Sequence, residues 1–141
     1  MAGYGLPLPE AARAGLAPRA RAVVLAAGDM KVGLVSLELM LVPDALVAAV
    51  RERTASLGLG AVVVVATHTH SSFGGYDARL AAQLGGTGRF REASLKAAVE
   101  GASEALRRRP PSSPTSPWRW GRHASRDWCA HARAASHRRE S

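Results

Sequence analysis

His68 and His70 are the residues with the most chemistry to offer. They stand in the stretch AVVVVATHTHSSFGGY, where four valines give way to Thr67-His68-Thr69-His70, two serines and the pair Gly74-Gly75. Imidazole is both a common metal ligand and a proton carrier near neutral pH. In extended backbone, side chains two positions apart point to the same side, so both rings can face one metal ion or one substrate. The competing reading is plain: two polar residues at a strand end, hydrogen-bonded to nearby backbone. HxH spacing alone does not separate the two.

Other candidates carry less. Ser71 and Ser72 follow a histidine, but there is no G-x-S-x-G elbow to hold a nucleophile, and structural hydrogen bonding is the better reading. Asp77 offers an oxygen to a metal, or caps a helix starting at Ala78. Gly85-Gly86-Thr87-Gly88 lacks the Lys-Ser/Thr of a phosphate-binding loop, and no strand leads into it. His123, His131 and His137 are spaced too widely for a compact zinc pattern.

The elements that must position the histidines follow from the pattern of apolar residues. Residues 1–18 are rich in glycine and proline and read as irregular. Ala22 to Ala27 and Met30 to Leu37 are apolar runs joined at Gly28-Asp29, which predicts a hairpin. Pro43-Asp44 marks a helix start with Asp44 as cap; Leu46, Val47, Val50 and Leu57 recur at helical spacing, and Gly58 ends the helix. The valine run is predicted to be a buried strand leading into the histidine loop. Ala78 to Leu84 reads as a short helix. Phe90, Ser94, Leu95, Ala98, Val99, Ala102 and Leu106 form the apolar face of another, covering the sheet. The expectation is an α/β fold with a mixed sheet flanked by helices, with the histidines beyond the carboxyl end of a strand, where open α/β sheets place ligands.

At Arg109 the character changes. Residues 109–141 contain no Leu, Ile, Val, Met, Phe or Tyr, yet hold Trp118, Trp120, Trp128 and Cys129. A segment without aliphatic side chains buries too little surface to offset its ordering entropy. The expectation is a disordered basic tail, and loss of the reading frame near Arg108 accounts for its composition. The net charge of +8 divides as +3 over residues 1–108 (12 Lys+Arg, 9 Asp+Glu) and +5 over 109–141 (7 and 2). The body of the chain therefore carries no strong electrostatic footprint for nucleic acid, and binding through the basic tail is a separate alternative. One cysteine permits no intrachain disulfide. No apolar run is long enough to span a bilayer, and no secretory signal is visible, which leaves a cytoplasmic location as the default expectation.

Four stretches resemble the N-terminal part of the neutral/alkaline (non-lysosomal) ceramidase family, in the family's order: MAGYG, RAVVLAAGDMKVGLVSLEL, VPDALVAAVRER and ATHTHSSFGGY. The resemblance covers residues 1 to about 108. It implies an α/β zinc-dependent amidase that cleaves the N-acyl bond of ceramide to a sphingoid base and a fatty acid. By resemblance His68 is a zinc ligand, His70 lines the active site beside the metal, and Gly74 and Gly75 shape the substrate-side loop. The chain departs from the family at Ser72-Phe73, where Gly-Pro is usual. The family's remaining ligands, a histidine, a glutamate and a tyrosine, come from much later in a longer chain. The resemblance therefore implies part of an active site, with an inactive truncated product as the alternative. Family members are often secreted or membrane-associated.

Overall fold

The structure, a computed structural model, describes residues 18–108 and, as backbone, the strand Arg119–His123. MAGYG, Cys129, His131 and His137 lie outside the described residues.

Strands β1 (Ala20–Ala27) and β2 (Met30–Leu37) form an antiparallel hairpin closed by the Ala27–Met30 pair. Its two-residue turn places Gly28 at a φ of 56°. A positive φ at the first central position suits a type II′ turn, for which glycine is the natural residue, and so accounts for the order Gly-Asp. Helix α1 (Asp44–Arg53) follows. Asp44 does not cap it: Pro43 occupies the cap position, no side chain bonds the first amides, and Asp44 is the first helical residue, acting through its charge on the positive helix end. The helix tightens into a 3₁₀ turn over Ala55–Leu57, and Gly58 closes it in the left-handed conformation.

Strand β3 (Ala61–Ala66) then pairs with β2 in parallel, from Val32–Ala61 to Leu37–Ala66. The short helix α2 (Leu80–Ala82) runs into a wider turn over Gln83–Thr87, and α3 (Glu92–Arg107) closes the unit. Strand β4 (Arg119–His123) pairs antiparallel with the free side of β1, giving the mixed order β3-β2-β1-β4. This short strand falls within the stretch predicted to be a tail. The rest of 109–141 lies outside the described residues.

The core lies between the sheet and the two longer helices. Ala22, Val35, Leu37 and Val62 from the sheet meet Leu46 and Val50 of α1 and Ala98, Val99, Ala102 and Leu106 of α3. The buried face of α3 is broader than predicted, because Ala97, Gly101, Ser103 and Ala105 are buried too. Small residues let a helix approach closely. Gly33 of β2 makes room for it: a Cβ there would lie 2.9 Å from the tip of Leu106 and 3.0 Å from that of Leu59.

The valine strand is buried on one face only, which corrects the sequence expectation. Val62 is buried and Val64 is half-buried, whereas Val63 is 41% and Val65 49% exposed. The rung of Val63 continues across the sheet through Leu34, 38% exposed, to Val23. Alternate strand residues point to opposite faces, and α1 and α3 cover the face that carries Val62. A run of apolar residues says that a strand tolerates burial on both sides; it does not say what supplies the second cover.

Candidate functional site

The site lies where β3 ends. Beyond Ala66 the backbone keeps pairing with the segment that leaves β2: the Thr67 amide donates to Leu37 O (2.9 Å) and the Thr69 amide to Leu39 O (3.1 Å). His68, between those two bonds, has a φ of 58°. It is the one non-glycine residue in the left-handed region among the described residues. Histidine enters that region more readily than most side chains but still at a cost, and such strain concentrates at functional sites.

The two histidines do come together, though not by simple alternation. The left-handed turn at His68 removes the extended geometry on which that expectation rests. Even so the rings stand edge to face, with centroids 5.3 Å apart and planes at 66°. Two imidazoles on one tetrahedral zinc would hold their centroids about 5 Å apart, given Zn–N distances of about 2.0–2.1 Å and an N–Zn–N angle of about 109°. The observed spacing fits that requirement.

His68 is further oriented by a backbone bond. Its Nδ1 lies 2.7 Å from Met40 O. A carbonyl can only accept, so Nδ1 carries the proton and Nε2 is the lone-pair nitrogen of the neutral ring. Metal-ligating histidines use the same device, donating the second ring N–H to a carbonyl or carboxylate.

Below the histidines the loop is braced from two sides. Tyr76 is fully buried, packs edge to face on Phe73 (5.8 Å, 82°), and accepts a hydrogen bond at its hydroxyl from the Leu41 amide (3.3 Å). Burial of such a ring contributes on the order of 2–3 kcal/mol. Burial also pushes the Tyr76 phenol above its ordinary range, and the Asp77 charge adds to that push; the amides of Leu41 and Met40 pull the other way. Gly75, at a φ of 79°, donates its amide to Thr87 O (2.6 Å) and accepts from the Arg91 amide (2.8 Å). The glycine break at Gly85–Gly88 is thus a brace for the loop. Gly86, Thr87 and Gly88 are buried, so their amides are not presented to an outside anion.

The remaining candidates resolve individually. Asp77, only 1% exposed at its side chain, is committed to Arg79: Arg79 Nε lies 3.1 Å from both carboxylate oxygens and Nη2 lies 2.7 Å from Oδ2. Its Oδ1 also accepts from the Arg79 amide (3.0 Å), an Asx-turn ahead of α2. Asp77 is therefore neither the cap of a helix at Ala78 nor in a metal cluster, and α2 begins at Leu80. The side-chain bonds from Arg79 hold the Asp77 carboxyl below the usual carboxylate range against the opposing effect of burial. The Ser71 amide donates to Thr69 Oγ1 (3.2 Å), whereas the Ser72 hydroxyl is buried without a hydrogen-bond partner among the described residues. For Ser72 the expected structural bond is absent there. Gly74 is half-buried beside Gly75. His123 is the last residue of β4.

No group of three His, Cys, Asp or Glu side chains gathers around one point among the described residues. A catalytic zinc takes three protein ligands; the described residues offer His68 and, at matching separation, His70. No family model matches the chain, and neither a curated protein nor a solved structure matches it. Sequence reasoning missed Tyr76 and the Met40–Leu41 backbone. Tyr76 carries a weak signal, an aromatic directly after a glycine pair, but a backbone carbonyl carries none.

Proposed function

We propose that these residues form one wall of a zinc-dependent amidase site of the ceramidase type, with His68 as a zinc ligand through Nε2 and His70 beside the metal. The observation that carries the reading is the placement of His68 at the end of β3, with Nδ1–H on the Met40 carbonyl (2.7 Å) and its ring 5.3 Å from that of His70. Zinc, when bound, lowers the pKa of its water and polarises a carbonyl, the chemistry that cleavage of an unactivated amide requires. The chain's own contribution is orientation. Met40 O selects the tautomer, and the parallel bonds at Thr67 and Thr69 fix the backbone on either side. Gly74 and Gly75 shape the loop facing an N-acyl lipid substrate.

With two ligands at most among the described residues, the proposal is a partial site that binds zinc without turning over ceramide. Zinc or cobalt titration followed calorimetrically and spectroscopically tests it. The expected result is one weak site, abolished by His68→Ala and weakened by His70→Ala. Binding that survives His68→Ala would remove the metal reading. Zinc-dependent release of fatty acid from N-acylsphingosine would instead show a complete site.

A second reading rests on the sheet face that the described helices leave uncovered. Val63, Val65 and Leu34 form an apolar surface beside β3, the edge strand, whose residues Ala61–Ala66 carry no charge. Such an edge invites intermolecular pairing. It is partly guarded, since the Arg51 guanidinium donates to Val62 O (3.2 and 3.3 Å). On this reading the chain is a non-catalytic, association-prone product. A concentration-independent monomer in sedimentation, with a cooperative unfolding transition, would rule it out.

A further inference from the structure

Met40 O and Leu41 N belong to one peptide group, and each of its poles is held by a different side chain. The N–H donates to Tyr76 OH (3.3 Å), and the C=O accepts from His68 Nδ1 (2.7 Å). This peptide sits between the end of β2 at Leu37 and the start of α1 at Asp44, outside the paired rungs of β1 and β3. Its neighbours are tied differently: Leu39 O receives the Thr69 amide, and Pro43 O receives the amides of Leu46 and Val47.

We propose that Tyr76 is the positioning residue of His68, acting through the Met40–Leu41 peptide to hold the imidazole in the Nδ1–H tautomer with Nε2 as its reactive nitrogen. A peptide held at its N–H cannot swing its carbonyl away from the ring without breaking that bond. A hydrogen bond at the N–H also polarises the peptide, which makes the carbonyl a stronger acceptor, because linked hydrogen bonds reinforce one another in surroundings of low polarity. Tyr76 suits the role because its own position is settled by packing: it is fully buried and seated against Phe73. The arrangement joins three segments distant in sequence. The sheet-to-helix connection at residues 40–41, the post-strand turn at 68 and the loop at 76 meet through two hydrogen bonds.

The tautomer part of this inference stands on geometry alone, while its consequence for metal binding rests on the proposed function. The test uses the full chain, labelled with ¹⁵N-histidine and free of metal, at about pH 8, above the ordinary imidazole range. Long-range ¹H–¹⁵N correlations identify the tautomer, and loss of signal in His68→Ala assigns the ring. The wild type is expected to show His68 as the Nδ1–H form. Tyr76→Phe keeps the ring and removes the hydroxyl, and His68 is expected to become a mixture of tautomers. Zinc affinity is expected to fall about tenfold or more, the usual effect of losing a residue that orients a ligand. If Tyr76→Phe does not fold, replacement of both tyrosines, Tyr4 and Tyr76, by 3-fluorotyrosine preserves shape and weakens the oxygen as an acceptor. A shift of the Leu41 amide together with the His68 Nδ1–H resonance is then expected. An Nε2–H ring in the wild type, or a His68 tautomer unmoved by either change, overturns the inference. A tautomer that responds to Tyr76 in a chain that binds no zinc would sustain the positioning role and reject the metal reading, so the two fail separately.

Discussion

Gly75→Ala measures how the loop under the histidines is held. Two costs combine at this position. The φ of 79° lies where a Cβ is disfavoured, which costs about 1–2 kcal/mol. The new methyl would also lie 2.8 Å from Arg89 O, a backbone atom that cannot rotate away. Forced overpacking of that kind costs about 1–3 kcal/mol. Together they predict a loss of about 2–5 kcal/mol, a large share of the roughly 5–15 kcal/mol that a domain has. Gly28→Ala is the internal control. Its φ of 56° brings a comparable dihedral cost, but nothing lies within 4 Å of the added Cβ. Urea denaturation of both variants separates strain from clash, since the difference between them reads the contact with Arg89 O. The expected midpoint shifts on heating are about 4–8 °C per kcal/mol for a domain of this size. Equal losses for the two variants would refute the claim that the loop is pressed against residues 87–91. The role of Gly75 would then rest on its backbone conformation alone.

Other outcomes follow from the same contacts. Asp77→Ala removes both the Asx-turn and the Arg79 pair and is expected to cost about 2–3 kcal/mol; Asp77→Asn, which keeps an acceptor for the Arg79 amide, about half as much. Because the folded-state pKa of Asp77 is depressed, its contribution is present above the ordinary carboxylate range and is lost as pH falls through the depressed value. The stability gap between wild type and Asp77→Asn should therefore be flat above about pH 5 and close only below about pH 4. His68→Gly is expected to be about 1 kcal/mol more stable than His68→Ala, since glycine accepts the left-handed backbone, while both lose metal binding. Arg51→Ala leaves Val62 O without its guanidinium and should raise concentration-dependent association in light scattering, whereas Val63→Lys should suppress it.

Much of the framework is legible in the sequence because its signals are local. The Gly28-Asp29 turn, the spacing of Leu46 and Val50 and the left-handed Gly58 each depend on neighbours within a few residues, and each takes the expected form; the valine run forms the expected strand but is buried on one face only. Asp44 fails as a cap for a local reason as well: Pro43 takes the cap position one residue earlier. The candidate histidines are legible as types at a spacing, and their proximity survives although its geometric cause changes from alternation to a left-handed kink.

What only the tertiary structure decides are pairings between segments far apart in the chain. No sequence pattern tells that the Met40–Leu41 peptide meets His68 on one side and Tyr76 on the other, because a backbone carbonyl has no letter. Asp77, read as a metal oxygen ligand or a helix cap, is a local exception: Arg79, two residues on, occupies its carboxylate. The valines read as buried until the helices are seen to cover one face. Apolar residues record what they tolerate, and polar residues record what they can bind. Which partner each one meets is set by how the sheet and the helices pack.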